Sequence, residues 1–557
     1  MRVNLISNNR NTTGLCQDVD LFQGIFSIVF PDAKFSRVHH SAPSVPEADL
    51  NVFFEVINAA HFVYAGKNAL IPNPEWTYKT WTPYLSQFDF LWCKTQDAVA
   101  TFGAYTGDRK PVYTGWSSIA KGVSEKKNYH KAIVVTGKNI FRHPQILIDA
   151  YQMFEDVSKL PELHIVYDGT RMNVNVPTAL FPKIKLYPDT LPQKKYDELL
   201  AECGLAICLS GAEGFGHAVN EAASSGCNLL LSDIPAFQEL GYDATWVAGE
   251  RTESDRLDAI MKCKRKDVMV ALDTYTGISF KERKEISKRN ANAYLDHHNG
   301  WIYHMKSVLQ TIEIPEFSLS EGMIPEADLP HVSIITPTKD RLKFMEVCAG
   351  MVAAQCYPHE KLEWIVVDDG LNTCEDVIRN IPFAKHVIVM QGKTIAEKRN
   401  LGVLHASHPI LVHFDDDDVY PSNSILVRVS MLLRTPQPGA VFCTTLPSYD
   451  ITNYVSFYNV PPSNLSQSER VSEATLAYTR AFWNVRQFPD VTIAEGQKFL
   501  EGREDQCREL SPLDIIVSLV HPQTTSSRRA PTTEANGCHY GFSEELFTIL
   551  SEIGASL

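Results

Sequence analysis

In the last two-fifths of this chain, V-S-I-I-T at 332–336, L-E-W-I-V-V at 362–367 and I-L-V-H-F at 410–414 are short apolar runs rich in β-branched residues. Around them, 342–355 and 393–406 carry apolar residues at three- and four-residue spacing. Such runs predict strands buried on both faces, and the longer period predicts helices. Strands alternating with helices imply a largely parallel sheet. The same alternation predicts strands at 132–136, 164–167, 205–209 and 228–231, whereas the residues before about 125 read as a less regular α/β unit. Between these parts lies 311–330, with Pro315, Pro325, Pro330 and several acids. Proline stops a helix and acids favour water, so this segment reads as an extended linker. The expected division is 1–310, in lobes of 1–125 and 126–310, then the linker, then 331–557.

Composition narrows the function. Of 557 residues, 44% are apolar and 21% charged, which excludes a largely disordered chain. Lys plus Arg is 52 against 66 Asp plus Glu, a formal net charge of −14 that argues against a nucleic-acid partner. The sequence has no apolar run of about 18 residues, so no transmembrane segment is expected. It opens M-R-V-N-L-I-S-N-N-R, which is too polar for a signal peptide. The 12 cysteines are scattered, without C-x-x-C or zinc spacing. Buried thiols in a soluble, cytoplasmic protein are the expectation.

Both acidic clusters of the C-terminal part follow predicted strands: Asp368-Asp369-Gly370, and Asp415-Asp416-Asp417-Asp418. Ligands of such sheets bind beyond the C-terminal strand ends. Four adjacent carboxylates repel unless a cation offsets them, and hard oxygens suit Mn²⁺ or Mg²⁺. An EF-hand is disfavoured, since its ligands alternate along a loop with a central Gly. His521, after the apolar run 515–520, is a candidate additional metal ligand. A nucleoside diphosphate needs cations nearby, and Lys393, Lys398 and Arg399 lie on one predicted helix.

Four segments, V-S-I-I-T-P-T-K-D-R at 332–341, W-I-V-V-D-D-G at 364–370, A-E-K-R-N-L-G at 396–402 and F-D-D-D-D-V-Y-P at 414–421, resemble the family 2 glycosyltransferases of the GT-A fold over roughly 331–525. The resemblance implies that Pro337, Thr338 and Asp340 lie beside the nucleotide and that Asp368 or Asp369 binds the base or ribose. It implies that Lys398 or Arg399 touches the diphosphate, with Asp416 also at the donor. The family's D-x-D would be Asp415 and Asp417, with Asp418 a direct metal ligand. The family usually inverts, with a carboxylate base after an aromatic-rich helix, and Glu495 is that candidate, with Glu501 and Asp490 in reserve. The family's Glu-Asp pair is interrupted, because Gly496 follows Glu495.

In the N-terminal part, S-G-A-E-G-F-G-H-A-V-N-E-A-A-S-S-G at 210–226 spaces Glu213 and Glu221 eight apart around two glycines that permit a tight strand-to-helix turn. The helix expected to start at His217 would point N–H groups at an anion. This element resembles the E-x7-E of family 4 glycosyltransferases with the GT-B fold. The resemblance implies that Glu213 meets the donor sugar, Glu221 the nucleotide ribose, and Lys138 and Arg142 the diphosphate. It also implies a retaining, metal-independent reaction. Segments 71–76 and 113–118 are expected to face the cleft.

The resulting expectation is an α/β protein. A GT-B-like pair of Rossmann-like lobes precedes a GT-A domain. The two would act as a bifunctional transferase that moves sugars from UDP- or GDP-linked donors to a glycan or glycoconjugate acceptor. The alternative is one active GT-A domain with a glycan-binding or scaffold half. A sugar nucleotidyltransferase is remote, since no Gly-rich, Lys/Arg-containing activation loop stands near 336–341. The segment 523–538, with Arg528 and Arg529, is a candidate lid.

Overall fold

The structure is a computed structural model of the chain and describes residues 1–8, 14–137, 139–189, 191–319, 324–434, 437–524 and 529–557. It forms two compact units. One comprises Met1–His40, Leu50–Ile57 and Lys67–Pro315; the other comprises Ser41–Asp49, Asn58–Gly66 and Glu316–Leu557.

The first unit holds two six-stranded sheets. Strands Arg2–Ser7, Lys34–His39, Ala48–Phe54, Ala65–Ile71, Phe90–Cys93 and Val112–Tyr113 lie, by their order along the chain, as 2-1-3-4-5-6. Strands Asn128–Gly137, Glu162–Tyr167, Ile184–Tyr187, Cys203–Cys208, Asn228–Ser232 and Ala244–Val247 lie as 6-5-4-1-2-3, every neighbour parallel. This is the Rossmann order, and its crevice opens where the order reverses, between Asn128–Gly137 and Cys203–Cys208. Cys203–Cys208 and Asn228–Ser232 are buried at every position, which is why they read as continuous apolar runs rather than alternating ones. In the first sheet, Phe22 meets Phe26, Phe54 and Trp92 at ring separations of 5.4–5.7 Å.

The second unit is built on a seven-stranded sheet of Val332–Thr338, Leu362–Asp368, Ala384–Ile388, Ile410–His413, Ala440–Phe442, Ala477–Thr479 and Cys507–Glu509, ordered 3-2-1-4-6-5-7. The first four are mutually parallel; Ala477–Thr479 runs antiparallel to both its neighbours. A smaller sheet pairs Leu446–Asp450 with Val455–Asn459 and Ser518–Val520. Helices Leu342–Ala353 and Ile395–His405 fall where their periodicity predicts. The second starts at Thr394, whose hydroxyl accepts the Glu397 N–H while Glu397 returns a bond to the Thr394 N–H.

Part of the segment expected as a linker clusters with the second unit from Glu316 onward. There the Phe317 N–H donates to Asp49 (3.0 Å), and the Arg434 guanidinium lies 5.1 Å from the Phe317 ring. Eight of the 12 cysteines are buried. No helix among the described residues is long and apolar enough to cross a membrane.

Candidate functional site

Three parallel strands, Val332–Thr338, Leu362–Asp368 and Ile410–His413, end side by side in the second unit, with Thr338 in register with Asp368. Their extensions carry the residues the sequence singles out. Pro337 and Thr338 close the first strand. Asp340 adopts a left-handed φ of 52°, and its carboxylate accepts the N–H groups of Leu371 (2.7 Å) and Asn372 (2.8 Å), tying the first loop to the second. Asp368 accepts the Gly370 and Cys374 N–H groups and lies 3.2 Å from His386 Nε2. Burial opposes its charge, but these bonds outweigh it and hold the carboxyl below its ordinary range. Asp369 takes Lys398 Nζ at 2.8 Å, and the same ammonium donates to the Thr338 carbonyl at 3.0 Å.

Arg399 is the hub of the third loop. It is 2% exposed, and its Nε donates to Glu495 (3.0 Å) while both Nη groups donate to Asp415 (2.9 and 3.1 Å). Burial opposes the guanidinium's charge, but Asp415 and Glu495 outweigh it, so its pKa is raised. Lys398 and Arg399, expected at the diphosphate, therefore serve here as clamps on Asp369, Asp415 and Glu495. Lys393 pairs with Glu397 on its own helix.

The four aspartates do not point one way. Asp415 faces Arg399. Asp416 accepts from Thr338 Oγ1 (2.7 Å) and Arg341 Nη1 (2.9 Å), and burial pushes its carboxyl up to about 6. Asp417 lies 2.6 Å from Arg341 Nη1 and 3.1 Å from His521 Nε2. Burial opposes the Asp417 charge, but His521 and Arg341 keep its carboxyl below the usual range. Asp418 accepts the Leu519 N–H at 2.9 Å, which fixes it to strand Ser518–Val520 two residues before His521. The donor set of Asp417, His521 Nε2 and Asp418 suits Mn²⁺ or Mg²⁺: hard oxygens plus one imidazole, with a chain cation, Arg341, already countering the charge between Asp416 and Asp417.

Glu495 starts helix Glu495–Leu500 after Ala494, whose φ is 59°. Beside it lies Glu473, which accepts the Gly496 N–H at 3.0 Å. Burial and the neighbouring Glu495 push the Glu473 carboxyl up to about 7. Sequence reasoning gave no role to Glu473 or Arg341. Arg341 stands in the same 332–341 segment as Asp340, so its position was a usable signal; Glu473 has no motif and is brought to the site by topology alone. Among the reserve acids, Asp490 bonds Thr394 Oγ1 and Glu501 pairs with Lys498. Lys138 and Arg528 lie outside the described residues.

In the first unit, the loops after Asn128–Gly137 and Cys203–Cys208 meet at the crevice. Arg142 Nε (2.6 Å) and Asn139 Nδ2 (2.9 Å) donate to Glu213. Glu221 accepts from Gln17 (2.9 Å) and Tyr196 (2.8 Å). Gly216 caps helix His217–Ser224 at φ 88°, and a Cβ there would lie 2.6 Å from the Phe237 ring, so glycine is required twice over. The other lobe supplies acids. Glu75 accepts the Gly214 N–H at 2.6 Å, and His217 Nε2 meets Asp18 at 2.8 Å. Asp18 also holds Lys94 at 2.7 Å, and Glu55, with φ 64°, holds Asn73. Burial opposes the Asp18 charge, but Lys94 and His217 outweigh it and bring its pKa to about 2; burial pushes Glu55 up to about 7 and Glu75 well above its ordinary value. Segments 71–76 and 113–118 do face this loop, through Glu75 and through Ser118, which lies 2.8 Å from His217 Nδ1.

Residues 333–487, all within the second unit, match the model of Glycosyl transferase family 2. Solved structures similar to the chain include the mannosyltransferase PcManGT from Pyrobaculum calidifontis in complex with GDP-Man and Mn²⁺ (20% identity, TM-score 0.29, covering 36% of this chain and 59% of that one). Another is S. aureus TarS 1–349 in complex with UDP (19% identity, TM-score 0.29, covering 34% and 61%). The chain thus spans about three-fifths of the length of those proteins, and likeness of this degree carries no residue roles across. No curated protein matches the sequence.

Proposed function

We propose that the second unit transfers a sugar from a UDP- or GDP-linked donor to a glycan or glycoconjugate acceptor, with inversion at the anomeric carbon. The observation that carries this reading is the contact of Asp417 with His521 Nε2 (3.1 Å) next to Asp418, which the Leu519 N–H holds, in the loop after strand Ile410–His413 within the family 2 match. Those three residues would hold Mn²⁺ or Mg²⁺, which when bound supplies positive charge against the leaving nucleoside diphosphate. Asp340, Asp368 and Asp369, each fixed by backbone N–H groups or by Lys398, present carboxylate oxygens for the hydroxyls and ring N–H of a nucleoside. Asp416, expected at the donor, is held by Thr338 and Arg341. An acid of the Glu473–Glu495 pair takes the acceptor proton.

A panel of UDP- and GDP-sugars, assayed with Mn²⁺ and with chelator, tests this. Asp417→Asn combined with Asp418→Asn is expected to cut metal-stimulated transfer or donor hydrolysis by about 10²-fold or more. Activity that survives both chelator and the double change would remove the metal role.

For the first unit, the bifunctional reading requires a second, metal-independent, retaining site at Glu213 and Glu221. A specific observation favours the scaffold reading instead. In the turn before helix His217–Ser224, the Gly214 N–H is taken by Glu75 (2.6 Å), and burial with the neighbouring Glu55 and Glu213 holds that carboxyl well above its ordinary range. A diphosphate in this turn would have to displace Glu75, and the Arg142 that could meet it is already bound to Glu213. We therefore assign transfer to the second unit alone and a binding or scaffold role to the first.

A further inference from the structure

We propose that Glu473 is the base that deprotonates the acceptor hydroxyl, and that Glu495 positions it. The assignment rests on the transferase reading of the second unit.

Glu473 opens the 3₁₀ turn Glu473–Thr475, on a segment remote in sequence from the helix Glu495–Leu500. Its Oε1 nevertheless accepts the Gly496 N–H at 3.0 Å. A Cβ built on Gly496 would lie 2.8 Å from both Cγ and Oε1 of Glu473. The Glu473 carboxyl thus fills the space a side chain at 496 would take. This chain lacks an acid after Glu495, and a carboxyl from another segment stands in the vacated volume. The glycine is required there for room, since its φ is not left-handed.

Glu495 is poorly placed for the task. It is 5% exposed and bound to Arg399, which also holds Asp415. Protonating Glu495 would leave the guanidinium short of a buried counter-charge. Glu473 is only partly buried, and among the described residues its carboxylate has a single hydrogen-bond partner, the Gly496 N–H. The charged and titratable groups that face it are Glu495, Arg399 and His413. His413 bonds the Glu473 carbonyl (3.0 Å) and is kept neutral by burial and Arg399. Two carboxyls in unlike surroundings separate into one that stays ionised and one that exchanges a proton near neutrality. In the reaction, the acceptor O–H proton moves to a Glu473 carboxylate oxygen, and the freed oxygen pair bonds the anomeric carbon. The bond from that carbon to the phosphate oxygen breaks, its electron pair leaving on the nucleoside diphosphate.

The test uses the full chain with Mn²⁺ and whichever panel sugar turns over fastest. Glu473→Gln keeps the acceptor for the Gly496 N–H. It is expected to lower kcat about 10²–10⁴-fold, to leave UDP or GDP affinity within about twofold, and to erase the acidic limb of the kcat–pH profile. Glu495→Gln is expected to retain that limb and move it to lower pH, because the negative neighbour is gone. Glu473→Gln with kcat within about fivefold of wild type and its limb intact would overturn the assignment. So would a limb lost in Glu495→Gln and kept in Glu473→Gln. Absence of any Mn²⁺-dependent turnover by the wild type would instead remove the transferase reading, and this assignment with it.

Discussion

Glu363 shows what a buried carboxylate does when the fold supplies enough donors. It stands on Leu362–Asp368 and accepts from Ser333 Oγ (2.7 Å), the Ser407 N–H (2.7 Å), Ser407 Oγ (2.9 Å) and Lys385 Nζ (2.5 Å). Burial opposes its charge, but these donors bring its pKa from 4.5 to about 2. A depressed acid contributes stability above its unfolded pKa and loses it as pH falls toward the folded one. Glu363→Gln is therefore expected to cost about 2–3 kcal/mol at pH 7, and the gap from wild type should close between about pH 5 and pH 2. Urea unfolding across that range checks it; a gap independent of pH would mean the lost stability is packing, not charge. At this scale the sequence identifies acids but not their partners. Asp415 and Asp417 were legible as members of one run, yet one faces Arg399 and the other His521. That division depends on side chains from residues about a hundred positions away or on a neighbouring helix, and no local spacing encodes it. Arg399 illustrates the same limit, since a cation on a helix reads alike whether it awaits a phosphate or already holds two carboxylates.

Elements were more legible than contacts, because each is fixed by its own period. Val332–Thr338, Leu362–Asp368 and Ile410–His413 begin within a residue of the runs that predict them. Helix Ile395–His405 was readable from its spacing, but not its Thr394 cap or the reason for Gly402. A Cβ there would lie 2.5 Å from Ile335 Cγ2, so the helix sits against strand Val332–Thr338 at a distance only glycine allows. Gly402→Ala improves helix propensity by about 1 kcal/mol and still should destabilise by about 1–3 kcal/mol overall, because overpacking a buried contact outweighs it. Since Lys398 and Arg399 ride on this helix, the variant should also weaken Mn²⁺-dependent nucleotide binding. Thermal unfolding and calorimetry read the two effects; an unchanged or higher midpoint would show that Ile335 yields at no cost. The short strands Ala440–Phe442, Ala477–Thr479 and Cys507–Glu509 were not readable in advance. Three residues carry too little periodicity, and their place in the sheet is set by antiparallel and parallel pairing with distant partners.

Across the whole chain, the net charge of −14 is not spread indifferently. In the second unit, each acid at the strand ends meets a cation, a backbone N–H or an imidazole, and Arg341 holds the place at Asp417 that the proposed metal ion would take. In the first, acids from one lobe lie against the Gly-rich loop of the other, and Glu75 occupies its Gly214 N–H. The E-x7-E spacing was legible in the sequence, but the occupant of the loop was not, because Glu75 lies 139 residues away. If that carboxylate stands where a diphosphate would sit, the full chain should bind UDP or GDP at one site only, and only with Mn²⁺ present. Calorimetry in chelator should then give no binding heat, and the Mn²⁺ titration should end near one nucleotide per chain. Asp417→Asn should abolish the signal, while Glu221→Ala should leave it intact. A chelator-resistant site that disappears in Glu221→Ala would restore two donor sites, since the diphosphate would then be displacing Glu75 from the Gly214 N–H.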